Sequence, residues 1–81
     1  MNDQKLVHMA NRIGQFFEAM PDRPQALQDI ALHVRRFWEP RMRRQMLEHL
    51  DQRHGEGLTE IVMLALTRHR EQLEQGLEQR S

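Results

Sequence analysis

Five histidines, at positions 8, 33, 49, 54 and 69, are the first residues in this 81-residue sequence that could hold a metal or move a proton. Their spacing argues against a metal. No two stand four apart on one helical face, there is no His-Glu-x-x-His run, and His49 and His54 straddle an expected helix end. Asp29 and His33 are one helical turn apart, a separation that a local hydrogen bond or ion pair explains without a ligand. Nucleophilic catalysis has less to work with. Cysteine is absent, and the hydroxyl side chains are Thr59, Thr67 and Ser81, the first placed to cap a helix and the last terminal. Glu71, Glu74 and Glu78 fall on a polar C-terminal face where nothing excludes water or raises a carboxyl pKa. No glycine-rich loop follows a strand, so nucleotide phosphates have no cradle. The sequence reads as a non-enzyme with no catalytic residues, no metal and no cofactor of its own.

What the chain concentrates instead is cationic and aromatic side chains. The stretch Arg35-Arg36-Phe37-Trp38-Glu39-Pro40-Arg41-Met42-Arg43-Arg44 holds five of the eleven arginines and the only tryptophan, and carries a local +4 in a chain of formal charge zero. Arginine and tryptophan are the types most enriched at binding hot spots, because they bury large area and, for arginine, present a planar fork of donors. Arg35, Arg36, Phe37, Trp38, Pro40, Arg41, Met42, Arg43 and Arg44 are therefore the candidate partner-binding residues, with Trp38 and Met42 as apolar anchors. Two readings of the aromatics stay open: Phe37 and Trp38 either pin the corner into the fold or face a partner. For Arg41, Arg43 and Arg44, the direction fixed by Pro40 favours binding over plain solvation. Met42 and Met46 either fill gaps in the core or add adaptable contact surface.

The elements that must position these residues are helical. Leu6, Met9, Ala10, Ile13, Phe16, Phe17 and Met20 recur at spacings of three and four, which predicts a first helix over 4–19 capped by Asn2 or Asp3. Phe16 and Phe17 diverge by about 100° around it, so one can enter the core while the other sits at its rim or meets a partner. Ala10 and Gly14 form a notch where another backbone could come close. Pro21 and Pro24 break the helix and Asp22 caps a second one over 24–37, with Leu27, Ile30, Ala31, Val34 and Phe37 on one face. Trp38-Glu39-Pro40 is a corner, since proline disfavours helical geometry at the residue before it yet suits a first helical turn. A third helix over 40–52 carries Met46, Leu47 and Leu50. Gly55 and Gly57 stop it, Thr59 caps a fourth over 59–73, with Leu58 stapled onto Met63, and 74–81 reads as a frayed polar tail. The fold class is all-α, a compact bundle of about four short helices in a single domain spanning 1–81.

Composition narrows the partners. Twelve basic residues balance twelve acidic ones, which argues against a general nucleic-acid or anionic-membrane binder. No apolar run approaches the length of a membrane span, and Met1-Asn2-Asp3-Gln4-Lys5 lacks the order of a secretory signal, so a cytoplasmic location is expected. A domain this small gains only about 3–5 kcal/mol from a single core, and without cysteine it has no disulfide supplement. Tight helix packing and assembly with a partner, or a homo-oligomer when isolated, are the remaining supplements. The alternative from another class is a small helical nucleic-acid-binding regulator, since the second and third helices flank a short turn with arginines opening the third. Against it stand the neutral charge, the proline in the turn, and Gln45 as the lone nearby side chain suited to base edges.

One ordered set of segments is more specific than any of these patterns. Lys5-Leu6-Val7, Met9-Ala10-Asn11, Ile13-Gly14 and Phe16-Phe17 are followed by Pro21-Asp22, Ile30-Ala31 and His33. The block Phe37-Trp38-Glu39-Pro40-Arg41-Met42-Arg43, then His49-Leu50 and Gly55-Glu56-Gly57-Leu58, completes it. With this set the chain resembles the delta subunit of NAD-dependent, molybdenum-containing formate dehydrogenases over roughly residues 4–70. It departs at Thr59-Glu60, where the family tends to have Ser-Pro; both open a helix. The resemblance implies a small accessory subunit of a cytoplasmic complex that binds no redox centre itself. Its partner would be the large alpha subunit, which holds bis-molybdopterin guanine dinucleotide and iron–sulfur clusters and oxidises formate, while other subunits pass electrons to NAD. The implied role is stabilising the complex or helping the molybdenum cofactor enter the alpha subunit.

Overall fold

The computed structural model describes residues 2–77, and every regular element among them is a helix. α1 is Asp3–Phe17, α2 Arg23–Phe37, α3 Pro40–Arg53, α4 Glu60–Arg68 and α5 Arg70–Glu74. They pack as the all-α bundle that the periodicity predicts. Local caps set the starts. The Asn2 side chain accepts the Lys5 N–H at 2.8 Å, and Asp22 accepts that of Gln25 at 3.2 Å. Pro24 and Pro40 sit in first turns, where a missing N–H leaves no bond unmade. α1 ends two residues before the expected Ala19. Pro21 disfavours helical geometry at Met20, and the chain tightens so that the Met20 N–H reaches the Phe17 carbonyl at 3.1 Å.

α2 is the central element, packed against α1, α4 and α5. Leu27, Ile30, Ala31 and Val34 are buried along one stripe. The stripe continues to Trp38, four residues after Val34, rather than to Phe37. The Trp38 N–H still bonds the Val34 carbonyl at 2.9 Å, so its side chain leaves the backbone in register with the buried row. The indole ends 5% exposed in the core, while Phe37, expected on the core face, stands 70% exposed.

α1 crosses α4 at the notch. Gly14 is buried, and a Cβ there would collide with Val62 Cγ2 and lie 3.2 Å from Ile61 Cγ2. The loop between α3 and α4 starts with His54 and Gly55 in left-handed backbone, φ 56° and 71°, and the Gly55 N–H closes the end of α3 on the His49 carbonyl at 3.2 Å. Asn11 of α1 then clamps this loop, donating to the Gly57 carbonyl and accepting the Thr59 N–H, each at 3.0 Å. Thr59 precedes α4 as its cap residue, but its own side chain makes no capping bond. The helix expected over 59–73 breaks at His69. Thr67 donates back to the Met63 and Leu64 carbonyls, at 2.8 and 3.3 Å, an arrangement that bends helices. The bend turns α5 toward α2 and α3 and buries Leu73 completely. Of the tail expected to fray, Leu77 packs on the core, and 78–81 lie outside the described residues.

Candidate partner-binding surface

The corner between α2 and α3 consists of two extended residues, Trp38 (φ −94°, ψ 134°) and Glu39 (φ −63°, ψ 155°). This geometry divides the ten-residue cationic stretch into an inside and an outside. Trp38 is inside, and so is Arg43, only 8% exposed. Arg43 Nη1 donates to the carbonyls of Leu73 at 3.2 Å and Gln75 at 2.9 Å. It thereby meets two of the carbonyls that the end of α5 leaves without helical partners, and sets a cation at the negative end of that helix. The buried Nε has no hydrogen-bond partner among the described residues. Burial, with the charges of Arg35 and Arg44 nearby, lowers the Arg43 pKa, though a guanidinium remains charged at any pH at which the protein folds. In the isolated chain Trp38 and Arg43 are thus committed to its own fold rather than presented to solvent. Met42 is half-buried against the core.

The other candidates are outside. Arg35, Arg36, Phe37, Pro40, Arg41 and Arg44 are all exposed. The ion pairs among the described residues join Arg23 to Glu18 and Arg70 to Asp51 and Glu74, while the His49 and His69 rings lie 3.1 and 3.8 Å from the Asp3 and Glu71 carboxyl groups. None includes those four arginines. The nearby acids are partly engaged elsewhere. Asp3 and Glu48 share a shallow depression with Arg41 and Arg44, but the Gln45 amide and then His49 hold the Asp3 carboxyl below its ordinary pKa. The Arg70 hydrogen bond lowers the pKa of Asp51 in the same way, and Asp51 and Glu74 together raise that of Arg70.

A second feature adjoins the first. Phe16 is 78% exposed, and its ring meets that of Phe17 edge-on at 5.1 Å between centroids. Phe17 faces His33 of α2 at 6.5 Å, and His33 stacks at a tilt on Phe37 at 4.6 Å. Four rings from two helices therefore form one row. The divergence of Phe16 and Phe17 signalled that one would lie outside; the row itself was invisible, because it depends on how α1 crosses α2.

The remaining histidines do structural work or stand in solvent. His49 is buried, with Nδ1 3.1 Å from Asp3 Oδ2 and Nε2 2.8 Å from the Glu56 carbonyl, tying α1, α3 and the following loop together. His54 starts the left-handed turn, His69 marks the bend, and His8 is exposed. Among the described residues, no three His, Asp or Glu side chains are grouped so as to hold a metal ion. No helix among them is long and apolar enough to cross a membrane. A broad open groove of about 900 Å³ runs between α1 and α3, lined by Asp3, Val7, Asn11, His49, Arg53 and Glu56. Its inner polar groups already bond to one another.

Against this geometry, the family model of the NADH-dependent formate dehydrogenase delta subunit, FdsD, matches residues 5–66. That is 62 of the chain's 81 residues. The chain belongs to this family. Comparison with curated proteins and with solved structures gives no match. The delta-subunit match takes in the four-ring row, the whole corner, and α4 as far as Leu66. α5, whose end Arg43 holds, lies beyond it.

Proposed function

We propose that the chain is a non-catalytic accessory subunit of a cytoplasmic formate dehydrogenase complex, docking on the large alpha subunit. The observation that carries this reading is the set of exposed arginines, Arg35, Arg36, Arg41 and Arg44, which enter no ion pair among the described residues and surround a rigid corner in a chain of zero net charge. Such groups gain from carboxylates presented by a neighbouring polypeptide, and their unsatisfied charge also steers association. Binding one state of the alpha subunit would stabilise that state by mass action, with no chemistry of this chain's own. The same mass action would favour a form open to the molybdenum cofactor, whose phosphates the arginines could also meet. Trp38 and Arg43 support this face from below; Phe37 and the half-buried Met42 supply its apolar contacts.

The test is co-purification of the alpha subunit with a tagged chain. Replacing Arg35, Arg36, Arg41 and Arg44 by alanine should reduce recovery at least tenfold while helical circular dichroism stays the same. Undiminished recovery would rule the face out. The two roles separate on the alpha subunit matured without this chain. Loss of molybdenum at normal heat stability supports cofactor insertion, and loss of heat stability at full molybdenum content supports stabilisation.

A further inference from the structure

We infer that the row Phe16–Phe17–His33–Phe37 is a second docking element, which takes an amphipathic helix of a partner subunit, apolar at its centre with Asp or Glu at both ends. The inference rests on the reading that the chain docks on the formate dehydrogenase complex, and it extends the contact from the corner across α2 onto α1.

Three observations converge on it. Phe16 and Phe37 are the large apolar side chains left exposed among the described residues, at 78% and 70%. Together they keep roughly 300 Å² of ring surface in water, given the usual area of a phenylalanine. In a chain with so little core, this surface contributes nothing to the monomer's fold. Second, the rings are not scattered. Contacts of 5.1, 6.5 and 4.6 Å between centroids join them into one continuous chain of rings across two helices, a surface that can receive side chains spaced i, i+3, i+4 and i+7 on another helix. Third, the ends of the row are cationic. Arg12 lies one turn before Phe16 on the same face of α1, and Arg36 lies one turn after His33 beside Phe37 on α2. Both are exposed, and neither enters an ion pair among the described residues.

Glu39, three residues after Arg36, is exposed and enters no ion pair among the described residues, and two further acids in the neighbourhood are engaged elsewhere. Asp29, one turn before His33, accepts from the Gln25 side chain at 2.9 Å, and Glu18 pairs with Arg23 at 3.4 Å. An apolar row between two cations that enter no ion pair among the described residues calls for a ligand that is apolar between two anions. A polypeptide helix meets that requirement. A nucleic acid, with a charge at every residue, would set phosphates over the phenyl rings.

The experiment measures binding of the full chain to the formate dehydrogenase complex purified without its delta subunit. Phe16→Ser and Phe37→Ser should each weaken binding about 30-fold, the effect of truncating a hot-spot aromatic. Arg12→Ala with Arg36→Ala should lower the association rate and flatten its dependence on salt. Hydrogen exchange on the wild-type chain supplies a readout free of substitutions, and complex formation should protect 12–20 and 30–37. Full-strength binding by both serine variants, with loss of binding by the corner-arginine variant, would overturn this inference and leave the proposed function standing. Failure of the wild-type chain to bind would overturn both. A wild-type dimer that the serine variants dissociate without affecting complex binding would make the row a self-contact and overturn the inference. So would tight binding of a single-stranded oligonucleotide that is lost in the Phe16→Ser variant.

Discussion

Replacing Arg43 with methionine tests the division of the cationic stretch into inside and outside. Methionine retains an unbranched stem of similar reach, so the main loss is the guanidinium that donates to the Leu73 and Gln75 carbonyls. Hydrogen bonds from a charged group contribute about 1.5–3 kcal/mol each, and Arg43 is buried enough for little of that to be screened. Both bonds leave one nitrogen, so the pair sits near the low end of the sum, about 3–4 kcal/mol. Removing a buried Nε without a partner gives back about 1–2 kcal/mol. The net cost is about 2 kcal/mol, and a domain of this size loses about 4–8 °C of Tm per kcal/mol. Thermal unfolding followed at 222 nm should therefore show a fall near 10 °C, and hydrogen exchange should show α5 opening before α2. Arg41→Met and Arg44→Met, at exposed positions, should stay within about 0.5 kcal/mol of wild type. An Arg43→Met protein as stable as wild type, with α5 amides still protected, would refute the claim that this arginine holds the last helix. Equal losses at all three positions would refute the division itself.

The other predictions are simpler to state. Gly14→Ala gains about 1 kcal/mol in helix propensity but forces a methyl group onto Val62, fully buried and β-branched, at about 1–3 kcal/mol; Tm should fall by several degrees, and a rise would show that α1 and α4 separate freely. Trp38→Ala should remove about 3–5 kcal/mol, comparable to the whole stability of so small a domain, and leave the chain unfolded in solution by circular dichroism; a folded variant would mean that the indole is dispensable to the core. Asp3 and Asp51 have carboxyl pKa values lowered in the folded state, so the unfolded chain binds more protons as acid is added. Their contribution is present above the ordinary carboxylate pKa and lost as pH falls through the lowered one. Urea unfolding at pH 7, 4 and 3 should show stability dropping over the last step, with a smaller drop in Asp3→Asn; identical drops would show that Asp3 takes no part.

How much of this was legible beforehand depended on whether a feature is local. Asn2 and Asp22 cap their helices because the N–H groups they meet are three residues away, a relation written in the sequence itself. The Ala10–Gly14 notch was legible because small residues one turn apart leave a gap whatever helix fills it, although nothing in α1 names Val62 as the occupant. The corner at Pro40 followed from proline stereochemistry, but the fate of Trp38 and Phe37 did not. Both lie within one turn of Val34, and a difference of one residue, set by where α2 stops, decides which ring is buried. Arg43 was harder still. Its partners are about thirty residues further along, and they exist only because Thr67 helps bend the last helix at His69 and bring α5 under α3. A cation in a cationic run reads as surface until the chain's own carbonyls arrive to meet it.

That exchange of places bears on function. Arginine is seldom buried and large apolar groups are seldom left wholly in water in clusters, yet this bundle hides one guanidinium and displays two phenyl rings. The hidden guanidinium is explained within the chain, because α5 ends on it. The displayed rings are not. The core closes without them, they cap nothing, and the cations at the ends of their row enter no ion pair among the described residues. Selection for stability alone would favour polar residues at positions 16 and 37, because phenylalanine in water carries an aggregation hazard without a folding gain. A subunit that spends its working life covered by a partner escapes that hazard. The same corner that swings Trp38 inward leaves Phe37 and the arginines outward, so one bend in the backbone both closes the bundle and forms the face it would present.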